Sequence, residues 1–408
     1  MRSILLAATA LFAFTAPAGA QGVDLSQTDP VGTVIVTARP LSATEAALKA
    51  CLERKCPPKE DIAATIAHAE NQFVAGDYKG ARGTLLGGRA RNLRYGRDLP
   101  EDVAGLLRAN ARVGAHLGEG EVFQLDTIVA LDTLRMALPA DDNRVLEARI
   151  EVGDMFLRFG RFRPAADAYR AVERRARAAG KSDVLGLALL RQLQMFTRID
   201  ELGLAGLEGD ADRAYRALTD GTTPGLARYA DAARIIRAQV AAAKGDTKPL
   251  DALVDDYRRR NGTRTPVLLF APTIELPLTS VQVMDYNGMF IENSAVRRLT
   301  TDATYADQWV DIGFSIRPDG TVSDVGVLRE SRSFTPGWEK PVIEAVSKRR
   351  YAPVAAGTDA TELLRVERYT YTARYTTLTG SRIRTRDVVP QIEVLDLTND
   401  AEAQRKTG

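Results

Sequence analysis

Residues 309–328 read Trp309-Val-Asp-Ile-Gly-Phe-Ser-Ile-Arg-Pro-Asp-Gly-Thr-Val-Ser-Asp-Val-Gly-Val-Leu328. Val310, Ile312, Phe314 and Ile316 alternate with smaller or polar residues, the two-residue period of a strand with one buried face. Pro318-Asp319-Gly320 then supplies a fixed φ, a side chain that can bond its own turn and a residue free to take positive φ. Thr321 to Leu328 is a second strand, with Val322, Val325 and Val327 apolar, so the two predict a hairpin. Downstream, Trp338 to Lys348 carries Val342, Ile343 and Val346 on one helical stripe, and Arg349-Arg350-Tyr351-Ala352-Pro353 leads out of it. Leu363 to Thr376 is a third, long strand in which Leu364, Val366, Tyr369, Tyr371 and Ala373 alternate imperfectly. Strand, strand, helix, strand predicts a small antiparallel sheet with one face covered by the helix. Upstream, Val267 to Phe270 is strand-like, and the pattern changes near Asn261-Gly262.

Before that change, residues 42–260 read as helices. Segments 42–56 and 61–74 form a first pair, separated by Pro57 and Pro58, with Ile62, Ile66, Ala69 and Phe73 on one stripe. A turn of one form then recurs: Gly76-Asp-Tyr-Lys-Gly-Ala81, Gly160-Arg-Phe-Arg-Pro-Ala165 and Gly209-Asp-Ala-Asp-Arg-Ala214. In each, a glycine suits the left-handed end of one helix, and an alanine early in the next helix permits close approach. Repeated antiparallel helix pairs follow from this pattern; a plain helical bundle with three similar turns is the other reading.

The two ends differ from this body. Residues 1–20 have a basic start, an apolar run from Ile4 to Thr15 and the small-residue exit Ala18-Gly-Ala20, which predicts a secretory signal cleaved before Gln21. The run is too short for a stable membrane helix, so no stable membrane insertion is expected after cleavage. Residues 21–41 form a polar leader around the β-prone stretch Val31 to Arg39, which could add to a sheet edge. The tail, 379–408, is expected to be partly disordered, with one short strand near Ile392 to Leu397.

The chain has 408 residues and a formal charge of +2, a balance that gives no reason to expect nucleic acid. Its two cysteines, Cys51 and Cys56, predict a structural disulfide in an exported protein. They fall where a helix must unwind before Pro57 and Pro58. The two histidines, His68 and His116, sit in helical segments with no triad or metal set near them in sequence. Ser331 and Ser333 lack a base or an oxyanion glycine pattern, and no phosphate loop or dinucleotide fingerprint occurs. No catalytic, cofactor-binding or metal-binding residue is assigned, and neither a cofactor nor a small-molecule substrate is expected.

Two resemblances add to this reading. Gly153, Phe156, Gly160, Ala165 and Tyr169 fit the small and aromatic positions of tetratricopeptide repeats, in degenerate form. Residues 309–376 resemble the C-terminal domain of the TonB family of energy transducers. The shared features are Phe314 and Ile316 before Asp319-Gly320, the Val322 to Leu328 strand, the Trp338 to Ser347 helix, Tyr351 and Pro353, and the closing strand. The resemblances together imply an α+β protein: a tetratricopeptide-like array over 42–260, then a TonB C-terminal-like domain over 265–378. Val34 to Arg39 is similar to the TonB box of outer-membrane receptors, although a β-prone linker reads the same way. The implied function is a non-catalytic periplasmic interaction protein, with array and sheet each holding a periplasmic or outer-membrane protein or peptide. A TonB-type transducer acting in outer-membrane transport and an unrecognised enzyme are the alternatives. Candidate partner-binding residues are Val34, Ile35 and Val36 in the leader and Tyr369, Tyr371 and Tyr375 on the last strand, where tyrosines suit an interface. That strand is expected to outrun its neighbours and to need covering, by a partner or by the chain's own tail from Arg382 onward.

Overall fold

The computed structural model describes residues 40–201, 210–276, 283–284, 290–291, 305–359, 363–377, 384–386 and 390–398. The signal, Val34, Ile35 and Val36, the glycine of the third recurrent turn and the last ten residues lie outside these.

The helical pattern becomes eleven helices among the described residues. They are α1 (Leu41–Glu53), α2 (Pro58–Ala75), α3 (Tyr78–Asn92), α4 (Pro100–His116), α5 (Gly120–Ala137), α6 (Asn143–Arg158), α7 (Phe162–Ala178), α8 (Ser182–Glu201), α9 (Asp210–Thr219), α10 (Ala227–Ala243) and α11 (Lys248–Arg259). Each packs on its neighbour in sequence, and α2 meets α4, α6 meets α8 and α8 meets α10. The alanines of the recurrent turns, Ala81, Ala165 and Ala214, are fully buried, as close helix approach requires. Asp77 caps α3 by accepting from the Gly80 amide, which satisfies one of the free donors at a helix start. Two apolar cores run through the array, one spanning α2 to α6 and the other α6 to α10.

Cys51 and Cys56 are disulfide-bonded, with their Cα atoms 5.1 Å apart. Lys55 takes a φ of 54° just after α1 ends, and this reversal brings Cys56 back so that its amide donates to the Cys51 carbonyl at 3.0 Å. The unwinding expected before the two prolines thus builds the bridge.

The C-terminal part is antiparallel sheet. β4 (Trp309–Ile316) and β5 (Val322–Glu330) form the hairpin, α12 (Glu339–Ser347) follows, and β7 (Leu364–Thr372) lies beside β4. Gly320 has a φ of 83°, and a Cβ there would sit 2.1 Å from the Tyr351 carbonyl oxygen, so the turn needs glycine for both conformation and space. Short pairs flank this sheet: β1 (Leu268–Phe270) with β6 (Arg350–Tyr351), β2 (Val283–Met284) with β3 (Phe290–Ile291), and β8 (Tyr375–Thr377) with β9 (Arg384–Arg386). The final strand, β10 (Gln391–Asp396), completes the sheet in the order β10-β7-β4-β5. The protein is therefore α+β, a run of helices followed by antiparallel sheets. The sheet reaches past residue 378, because β10 comes from what reads as tail. β7 has nine residues, not the long run to Thr376, since Ala373 and Arg374 break it before β8.

The disulfide closes a short loop, so its removal should cost about 2 kcal/mol or less. Neither thiol should label with iodoacetamide before reduction. Labelling of both in the oxidised, folded protein would contradict the pairing.

Candidate functional site

The strand register decides which side of the sheet each residue serves. Val310, Ile312, Phe314, Tyr369, Tyr371 and Ile392 share one core with Val342 and Val346 of α12. Tyr369 and Tyr371 are buried there. The Tyr369 hydroxyl bonds Glu367, and Arg349 donates to both residues at 2.8 Å. Trp338 stacks on Tyr371 with ring centroids 5.2 Å apart. β10 pairs along β7, setting Ile392 opposite Tyr371 and Val394 opposite Tyr369. The expected partner surface at Tyr369 and Tyr371 is corrected in that these rings are core; of the two covers expected for this strand, it is the chain's own tail that fills the edge. Tyr375 lies in β8 beneath Arg386, whose guanidinium carbon is 4.2 Å from the ring centroid. Its amide donates to the Gly118 carbonyl at 2.8 Å.

Trp309, Asp311, Arg368, Thr370 and Glu393 turn to the other side, toward the helix array. Arg368 is 0% exposed and donates twice to Asp311, at 2.6 and 3.0 Å, and once to the Phe73 carbonyl at 3.0 Å. Burial works against its charge, but Asp311 and Tyr78 together outweigh that and hold the guanidinium pKa above its ordinary value. Its guanidinium carbon is 3.9 Å from the Trp309 centroid. That indole lies against Gly76 at the end of α2, where a Cβ would sit 2.4 Å from the ring. Gly76 has a φ of 89°, so one glycine ends the helix and gives the tryptophan its bed. Thr370 accepts or donates at 2.7 Å with the Tyr78 hydroxyl and at 2.9 Å with His116 Nδ1. Burial pushes the Tyr78 phenol up to about 12. Burial, with Arg158, Arg112 and Arg368 nearby, drives the His116 pKa well below its ordinary value. Arg158 pairs with Glu393. The α2/α3, α4/α5 and α6/α7 turns thus meet β4, β7 and β10 in order.

This junction is a lock whose polar groups are spent on each other. His68 contacts the Thr44 hydroxyl at 3.2 Å, and Ser331 donates to the Asp307 carbonyl at 2.5 Å. Among the described residues no group of three or more His, Cys, Asp or Glu could hold a metal, and no helix is long and apolar enough to cross a membrane.

A second polar arrangement, missed in the sequence reading, lies on the α2, α4, α6, α8 and α10 side of the array. Glu70 of α2 pairs with Arg112 of α4 at 3.5 Å, and Arg108 of α4 with Glu151 of α6 at 2.8 Å. Glu101 of α4 pairs with Arg144 of α6, Asp154 of α6 with Arg191 of α8 at 3.1 Å, and Asp183 of α8 with Arg228 of α10. These side chains stay partly exposed, and they recur at helical spacing: Arg144, Glu147, Glu151 and Asp154 share one face of α6. The spacing was readable in the sequence, but the cross-helix pairing was not. Glu147 makes no hydrogen bond or ion pair among the described residues; burial, then Glu151, pushes it up to about 7.

No family model matches the chain, and no curated protein matches it. Among solved structures, BtubC (BKLC) from P. vanneervenii superposes with a TM-score of 0.40 at 14% identity, over 53% of this chain and 85% of that one. That likeness is too loose to carry any argument.

Asp311→Asn strands a buried guanidinium and should cost about 3–5 kcal/mol in urea unfolding. The double replacement Asp311→Leu with Arg368→Met should cost much less, and equal losses would overturn the buried pair as the lock. For His116 the folded pKa is depressed, so its contribution is intact above about pH 6.5 and fades as pH falls, by up to about 1.4 kcal/mol per pH unit. Glu147, raised when folded, titrates in the opposite sense. The difference between the wild type and His116→Gln therefore isolates the histidine, and a pH-independent difference would refute its buried neutral state.

Proposed function

We propose that this is a non-catalytic interaction protein of the bacterial periplasm whose helical array holds a protein or peptide partner. The observation that carries the reading is the α2–α4–α6–α8–α10 side of the array. The sheet takes the turns of the array and leaves this side with partly exposed charged residues. Stacked helical pairs offer such a side as an extended binding surface. The tetratricopeptide-like pattern agrees with this use, and the hairpin, helix and strand order supports the TonB-like reading of the C-terminal part. Here that sheet serves mainly as a brace for the array. Among the described residues its terminal strands are β10 and β5, and on the β5 edge Val327 and Leu328 are exposed. Register irregularities and the φ of 55° at Asp324 blunt that edge, a device that discourages strand addition.

The mature protein should begin at Gln21 and appear in the periplasmic fraction. There, a photo-crosslinking amino acid in place of Gln194 on α8 should give discrete adducts, and one in place of Leu125, exposed on α5, should not. Adducts equal at both positions, or absent at Gln194, would overturn the assignment.

A further inference from the structure

The ion pairs across α4 and α6 have one place left open. Glu101 faces Arg144, and Arg108 faces Glu151. Gly105 lies between Glu101 and Arg108 on α4 as Glu147 lies between Arg144 and Glu151 on α6, so the two ion pairs bracket both residues. A Cβ at Gly105 would meet only Ile66 Cδ1, at 4.0 Å, so the space above it is open among the described residues. Glu147 has no bonded cation among the described residues, since Arg108 and Arg144 act on it only through space. We propose that the slot between Gly105 and Glu147 is a subsite for one cationic side chain, Lys or Arg, of a peptide lying along this side of the array. This rests on the proposed function and gives its partner a chemistry.

The surroundings fit a cation. Arg108 from α4 is bonded to Glu151 and Arg144 on α6 to Asp142, so these two pairs largely offset each other and Glu147 is the acid left over beside them. Tyr229 of α10 feels Glu147 as well, and its hydroxyl donates to the Asp183 carbonyl at 2.8 Å. A carboxyl that titrates near neutrality takes a proton when alone and sheds it when a cation arrives. Binding at this subsite therefore releases a proton and strengthens as pH rises through 7.

The test follows Glu147 by carboxyl-carbon NMR of the full chain, with Glu147→Gln to assign the resonance. The probe is n-butylammonium chloride, which mimics a lysine side chain, against sodium chloride at equal ionic strength. The midpoint should fall by about 0.5 pH units or more with butylammonium. Gly105→Lys, which supplies a cation from within, should produce the same fall without ligand, and Gly105→Ala should not. The crosslinked adducts at Gln194 should weaken severalfold in Gly105→Lys and persist in Gly105→Ala. Equal midpoints in the two salts, or equal adducts in the two variants, overturn the subsite. Wild-type adducts that persist in those cases leave the wider binding surface standing.

Discussion

Arg368 is the residue around which the two parts of the molecule are arranged. A guanidinium out of contact with water costs several kcal/mol unless its charge and donors are met. Here Asp311 answers the charge from the neighbouring strand, and the Phe73 carbonyl at the end of α2 accepts a further hydrogen bond. The second contact is the consequential one, because that carbonyl belongs to the array. The sheet cannot bury this pair without the helices beside it. Trp309 is in the same position: an indole on the polar side of a sheet, comfortable only against Gly76. Array and sheet are chemically incomplete apart, despite looking separable in sequence.

Much of the architecture was legible because it rests on local periodicity. The alternation from Val310 to Ile316, the Pro318-Asp319-Gly320 turn and the stripe of the following helix each appear as expected. The recurrent glycine-to-alanine turns at Gly76 and Gly160 mark real helix junctions. The misreading came at Leu363 to Thr376, where the alternation slips between Val366 and Tyr369. A slip of that kind means that both sides of the strand are covered. Glu367 and Arg368, which look like solvent-facing charges, are each buried with a partner from elsewhere, Arg349 and Asp311. No local pattern names those partners. The tyrosines suited an interface, but the interface is internal.

The charged pairs across the array show the same boundary from the other side. Glu101, Arg108, Arg144 and Glu151 fall at helical spacings that a reader can mark, yet only the ion pairs reaching from α4 to α6 show which meets which. The gap at Gly105 becomes visible only after its neighbours are paired. A glycine inside a helix normally weakens it relative to alanine, so its place between the paired Glu101 and Arg108, near an acid with no bonded partner among the described residues, has a meaning that composition does not carry.

The pairing of β10 with β7 has a consequence for how the polypeptide acquires its shape. Synthesis proceeds from the N-terminus, so the array emerges before any strand that covers its turns. The Phe73 carbonyl, Tyr78 and His116 must wait in water until β4 and β7 arrive, and β7 keeps an open flank until β10 follows. During that interval the nascent chain displays an unpaired strand beside a half-built core, the condition in which chaperones engage newly made polypeptides and misassembly competes with folding. The ordering of elements along the gene thus leaves one flank of β7 unpaired until the short segment from Gln391 to Asp396 covers it.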